Sequence, residues 1–208
     1  SNMNWLIYAL GGGYGHITRA LSLAKVATCR GIHCTILYNS SLAHKAIPFY
    51  EEQFSQVEFE YIPSNFERTD VIKFMRNYFS DLRGCDRLIV DTFPRGIAGE
   101  LDTILPNVSC KKVFVSRFLN QKYLKSIDIY KSLRLFDAVV QPKDSLPRPR
   151  YLKQFFSTEP WLLCSSDEIL SREKARQYLQ LVRDTETPVI GFLGSGHKKE
   201  IIQGYKWA

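Results

Sequence analysis

Two residues stand where side-chain chemistry is most readily organised. His16 closes the run Leu10-Gly11-Gly12-Gly13-Tyr14-Gly15-His16, and Asp91 ends the apolar run Leu88–Val90. Glycines let a backbone take positive φ and approach a ligand closely, and the free N–H groups at a helix start favour negative charge. The same run also serves as a tight strand-to-helix turn with no ligand. An imidazole at a helix N-terminus feels the positive end of the dipole, which disfavours protonation and suits a general base near pH 7. A capping or packing histidine occupies such a position equally well. A carboxylate such as Asp91 can orient that imidazole while it accepts a proton from a hydroxyl, or can simply cap the helix that follows.

Other chemistries find less support. A GxGxxG fingerprint starting at Gly11 needs glycine where His16 stands, and the next strand ends in Tyr38-Asn39-Ser40 without the ribose-binding acid of a dehydrogenase. No Gly-Lys-Ser/Thr triphosphate loop occurs, and Ser195 does not sit in GxSxG. No DxD sequence is present, and His33 between Cys29 and Cys34 fits no zinc spacing, so no metal and no cofactor are expected. The five cysteines, Cys29, Cys34, Cys85, Cys110 and Cys164, form no CxxC pair and are odd in number. With no charged leader ahead of an apolar core, they point to a reducing, cytoplasmic compartment.

Positioning His16 and Asp91 together requires particular elements. Apolar runs at Trp5–Leu10, Cys34–Tyr38, Val57–Ile62, Leu88–Val90, Lys112–Val115 and Ala138–Gln141 read as strands. Helical patterns alternate with them at Ile17–Arg30, at Leu42–Gln53 with an interruption near Pro48, at Arg68–Leu82, at 95–105 and at Lys122–Phe136. Residues 142–160, with Pro142, Pro147 and Pro149, read as an irregular connection, followed by a helix from Ser171 to about Thr185. Alternation of this kind predicts an α/β fold: a doubly wound, mostly parallel Rossmann-like sheet with helices on both faces. In the order 3-2-1-4-5, ligands bind where strands one and four part, which places His16 and Asp91 at one crevice. A further strand at Pro188–Leu193, followed by Gly194-Ser195-Gly196, repeats the grammar of residues 5–16.

The chain has 208 residues, 45% hydrophobic and 24% charged, an ordinary globular composition. Ser1 and Asn2, ahead of Met3, read as an addition from expression. The net charge of +7 is regional. Residues 111–153, from Lys111 to Lys153, carry eleven basic residues against Asp128, Asp137 and Asp144. Aromatics are interleaved there, and a basic amphipathic helix can lie on anionic lipid, each cation contributing about 1 kcal/mol. A solvated face is the other reading. No nucleic-acid-binding signature accompanies the patch, and no apolar run nears the ~20 residues that span a bilayer.

The segment Gly11-Gly12-Gly13-Tyr14-Gly15-His16-Ile17-Thr18-Arg19-Ala20-Leu21-Ser22-Leu23-Ala24, followed by Arg30-Gly31-Ile32-His33 and Cys34-Thr35-Ile36, resembles the N-terminal, acceptor-binding domain of two-domain (GT-B) glycosyltransferases. The similarity is to the enzymes that add N-acetylglucosamine to lipid-linked muramyl peptide and to UDP-glucuronosyl and UDP-glucosyl transferases. Leu88–Phe93 is similar to the family strand whose terminal Asp pairs with the His. The resemblance implies that His16 deprotonates an acceptor hydroxyl and Asp91 orients it. It implies that Gly12, Gly13, Tyr14 and Gly15 form the loop beside the donor diphosphate, with Arg19 supporting the loop or touching phosphate. Tyr14 departs from the smaller residue common in the cell-wall enzymes. Pro188–His197 resembles the first strand and loop of the donor-binding domain, adding Ser195 and Gly196 to the diphosphate loop.

The domains implied are an acceptor domain at 3–165, an interdomain helix and linker at 166–187, and the start of a truncated donor domain at 188–208. The partners implied are a nucleotide sugar, UDP-linked, a hydroxyl acceptor, a donor-binding domain in cis or in trans, and an anionic membrane surface through 111–153. The location implied is cytoplasmic, peripheral at the inner membrane face. A non-catalytic acceptor-binding or membrane-recruiting subunit, needing a separate donor-binding chain, is the alternative.

Overall fold

Burial on both faces turns short β-branched and apolar runs into parallel strands, and the computed structural model has, among the residues it describes, seven of them in one sheet. It describes residues 3–142, 154–181, 191 and 198–207. The strands are β1 (Asn4–Tyr8), β2 (His33–Tyr38), β3 (Val57–Tyr61), β4 (Arg87–Asp91), β5 (Lys111–Val115), β6 (Ala138–Pro142) and β7 (Phe155–Thr158). Their order is β3-β2-β1-β4-β5-β6-β7, and every pairing is parallel. The direction of winding reverses between β1 and β4, where Tyr8 stands opposite Val90. This is the Rossmann-like α/β architecture that the alternation predicts. The chain divides into two compact units, Ser1–Trp161 and Leu162–Ala208.

The helices of the first unit follow from their own sequences. In α1 (Gly15–Thr28), Ile17, Ala20, Leu21, Ala24 and Ala27 form a buried stripe at helical spacing. Gly31, at φ +73°, carries the chain out of it. In α2 (Ser41–Gln53), the Ser40 hydroxyl caps the Ala43 N–H at 3.2 Å. The helix runs unbroken through Pro48, contrary to the interruption expected there. A proline in a helix forfeits the hydrogen bond to the carbonyl four residues back. Here the buried Ala43 and Ile47 anchor the turns before it, and Phe54 N–H still bonds Tyr50. α3 (Arg68–Asp81) starts from a capping box between Glu67 and Asp70 and buries Val71 and Met75.

On one sheet face Leu6, Tyr8, Leu88, Val90 and Phe114 join Val71, Met75, Leu101, Ile104 and Leu133 in the main core. On the other face an apolar groove of about 640 Å³ runs over Ile89, Val113 and Val140, flanked by Leu23 of α1. Helices therefore lie on both faces. None among the described residues is long and apolar enough to cross a membrane.

Further expectations change. The helix expected over 95–105 is only α4 (Leu101–Ile104) with a 3₁₀ turn at Leu105–Asn107. Gly96 and Gly99, both at φ +78°, hold residues 92–100 as a loop instead. The single basic helix expected over Lys122–Phe136 is two short ones, α5 (Gln121–Ser126) and α6 (Ile129–Leu133). Ile127 is extended, and the Asp128 carboxylate caps a fresh start by accepting from Tyr130 and Lys131 N–H at 3.1 Å each. Residues 142–160 contain β7, which adds to the sheet beyond β6.

The second unit holds a 3₁₀ turn at Ser166–Glu168, then α7 (Arg172–Tyr178), N-capped by Ser171, and α8 (Lys198–Trp207). α7 stops short of Thr185 because Gln180 turns left-handed at φ +54°. Gln180 and Leu181 N–H then bond the carbonyls of Gln177 and Arg176 at 3.0 and 2.9 Å, a Schellman closure. Apart from Gly191, the strand expected at Pro188–Leu193 lies outside the described residues, as do the loop residues Ser195 and Gly196.

Candidate active site at the β1/β4 switch point

The loop from Gly11 to Tyr14 leaves the carboxyl end of β1 and enters α1, so His16 sits in the first turn of that helix. Asp91 is the last residue of β4, directly beside β1. His16 Nδ1 lies 2.6 Å from Asp91 Oδ2. The carboxylate is 3% exposed and accepts three further hydrogen bonds. Arg19 Nε donates to Oδ1 at 2.9 Å and Nη2 to Oδ2 at 2.8 Å. The Thr92 hydroxyl donates to Oδ2 at 3.0 Å from a residue at φ +68°. Burial pushes the Asp91 carboxyl up, but the hydrogen bonds from His16 and Arg19 and the Arg19 charge outweigh it and hold the group below the ordinary carboxylate range. Asp91 is therefore an anion and accepts only.

In the neutral imidazole this assigns the proton to Nδ1 and leaves the lone pair on Nε2. Arg19 Nη2 stands 3.3 Å from the same Nδ1, both groups turning their hydrogens to the carboxylate. Nε2 lies over Gly11: a Cβ on that glycine would fall 2.1 Å from Nε2 and 2.3 Å from Cδ2. Gly11 is at φ +147°, and its N–H donates to Asn39 Oδ1 at 2.7 Å. The loop's first residue is thus fixed by the end of β2. Phe93 covers another side of the ring, with centroids 5.5 Å apart, and Tyr123 stands 5.2 Å behind Phe93.

Gly12, Tyr14 and Gly15 are exposed and Gly13 half-buried, at φ +73°, so the loop backbone faces solvent beside His16. Arg19 points inward to Asp91 and Thr92. Four contributors escape the sequence reading: Gly11, Asn39, Thr92 and Phe93. The spacing of His16 and Arg19, three residues apart on a helix, puts both on one face, and that signal could have found the Arg19 contact. Behind the site, the buried Glu100 carboxylate bonds the Tyr8 hydroxyl and accepts from Ala98 N–H at 2.8 Å. Burial pushes Glu100 up from the ordinary range despite those bonds.

Gly11→Ala tests this packing. The added methyl must displace the imidazole from a backbone conformation alanine rarely adopts, and a loss of about 1–3 kcal/mol is expected. Imidazole ¹⁵N spectra should show the His16 Nδ1–H no longer bound to Asp91. A spectrum like that of the wild type would refute the close contact.

The sequence matches no protein-family model and no curated protein. Solved structures do resemble the chain. The UGT2 of Phytolacca americana, complexed with UDP-2-fluoro-glucose and pterostilbene, aligns with a TM-score of 0.60 at 12% identity. It takes in 86% of this chain and 57% of that one. A UDP-glucosyltransferase from Polygonum tinctorium capable of glucosylating indoxyl aligns with a TM-score of 0.54 at 12% identity and the same coverage. The chain spans little more than half the length of either. What it shares with these UDP-glycosyltransferases is the fold, a Rossmann-like parallel sheet wound in both directions from β1 and β4.

Proposed function

We propose that this chain is the acceptor-side half of a glycosyltransferase, moving a sugar from a UDP-linked donor to a hydroxyl acceptor. The observation that carries the reading is the 2.6 Å contact of His16 Nδ1 with the buried Asp91, which leaves Nε2 free at the carboxyl ends of β1 and β4. Nε2 takes the proton of the acceptor hydroxyl as its oxygen attacks the anomeric carbon, and the C–O bond to the diphosphate breaks with its electrons leaving on UDP. Asp91 holds the tautomer and balances the imidazolium that forms. Gly12, Gly13, Tyr14 and Gly15 border the diphosphate, and Ser195 and Gly196 are assigned to the diphosphate loop on the sequence resemblance alone. The remaining donor contacts come from a donor-binding domain, in cis or in trans. The likeness in fold to two UDP-glycosyltransferases supports the same reading.

The acceptor is lipid-linked in this proposal, reached at the cytoplasmic face of a membrane. Support comes from Phe118 and Tyr130, exposed among Lys122, Lys125 and Lys131. The test supplies the protein and a donor-binding domain with UDP-sugars and hydroxyl acceptors, and follows UDP release. Turnover that needs both polypeptide parts and the acceptor is expected. Donor binding without turnover would replace the catalytic reading by the non-catalytic subunit. For the membrane, sedimentation with phosphatidylserine vesicles at low salt and release at high salt are expected; equal sedimentation with neutral vesicles would remove that part.

A further inference from the structure

At the amino ends of β4 and β5, away from Asp91, two cysteines that the chemistry above does not use face each other. Cys85 lies two residues before β4 and Cys110 immediately precedes β5. Lys111 N–H bonds the Asp86 carbonyl at 3.3 Å, so the two backbones already run side by side there. The β4–β5 register, Arg87 opposite Lys111, leaves Cys85 one residue out of step with Cys110, a small offset between strands that lie about 4.8 Å apart. The two Sγ atoms are 3.5 Å apart, and both thiols are half-buried. Closing them to the ~2.0 Å of a bond takes side-chain rotation rather than strand movement.

The pair is also reachable. Both cysteines line a cavity of about 800 Å³ together with Arg76, Arg83, Phe79 and Asn107. That volume admits a small molecule, and the two guanidinium groups favour one that carries carboxylates. We propose that Cys85 and Cys110 are a redox site, converted reversibly to a disulfide by an anionic low-molecular-weight disulfide.

The exchange balances without another reagent. The Cys110 thiolate attacks one sulfur of the small disulfide, forming a mixed disulfide and releasing one thiolate. The Cys85 thiol gives up its proton and attacks Cys110 Sγ, forming the Cys85–Cys110 bond and releasing the second thiolate. The protein dithiol loses two electrons, and the small disulfide gains them and leaves as two thiols. The order of attack follows from the local chemistry. The hydrogen bond from Cys85 pulls the Cys110 thiol down to about 7 against the effect of burial, with help from Lys112. Cys85 is pushed up by that same bond and by burial.

The test equilibrates the whole chain in graded mixtures of reduced and oxidised glutathione, quenches with acid and alkylates the remaining thiols. Expected is loss of two alkylatable thiols in one step and a Cys85–Cys110 linked peptide by mass spectrometry, reversed by excess reduced glutathione. Cys29 and Cys164, both exposed, serve as internal references. Cys85→Ser should instead hold one glutathione on Cys110, because the resolving sulfur is gone. The proposal is overturned if both thiols of the wild type stay alkylatable wherever Cys29 and Cys164 do, if glutathione accumulates on Cys110 without the cross-link, or if only other pairings form. The wild-type measurement stands even where a serine variant fails to fold.

Discussion

Replacing His16 by alanine is expected to lower sugar transfer by about 10²- to 10⁴-fold, the usual contribution of a positioned general base. The imidazole carries the only lone pair that the Asp91 contact leaves free over Gly11. Its loss removes the proton acceptor without opening the core, since His16 is in the first helical turn and the buried stripe of α1 begins at Ile17. Transfer is measured with the donor-binding domain present, and the fold by far-ultraviolet circular dichroism and a thermal melt. A variant that folds and retains near-normal turnover would refute the base. His16→Gln refines the test, because an amide can donate to Asp91 yet cannot accept the proton. It should fall as far as the alanine variant.

Asp91 carries the second large expectation, and here stability moves with activity. Asp91→Ala leaves the Arg19 fork without its carboxylate. Breaking a buried pair from one side costs about 3–5 kcal/mol. The lower end applies, because the Arg19 side chain is 18% exposed and can turn toward water. The sign of the pH dependence follows from the depressed carboxyl. The contribution of ionised Asp91 is fully present above the unfolded value of about 3.9 and is lost as pH falls through the lower folded value. Acid unfolding of the wild type should therefore show a loss of stability below about pH 4 that Asp91→Ala lacks. Equal acid sensitivity of the two proteins would mean that Asp91 is not the anion described. Asp91→Asn keeps the volume but lets an N–H face His16 and so favours the wrong tautomer; its transfer rate should drop by about 10²-fold or more.

Much of the arrangement around Asp91 was legible in the residues. Alternating apolar and amphipathic runs imply the β3-β2-β1-β4-β5 order, and that order brings residues 16 and 91 to one crevice. What escaped was set by contacts across long separations. Glu100 meets the Tyr8 hydroxyl and Gly11 meets Asn39 only because β1 lies between β2 and β4. The helix expected over 95–105 fails in its first half, where Ala98 N–H is taken by the Glu100 side chain and Gly96 and Gly99 sit at positive φ. The basic run 122–136 has helical periodicity, but Asp128 prefers to start a helix rather than continue one. β7 was masked by the prolines before it, although Phe155-Phe156-Ser157-Thr158 has strand composition.

The pairing of β1 with β4 also has a kinetic consequence. β2 and β3 reach their neighbours across short connections, whereas Asn4 meets Asp86 across 82 residues of chain. Closing such a loop costs entropy before any contact repays it, and non-local parallel pairing slows folding in general. His16 and Asp91 are 75 residues apart and come together only through that pairing. The chemistry of the crevice therefore waits on that one long-range pairing, and recovery of the His16–Asp91 contact in a refolding chain reports formation of the β1–β4 junction.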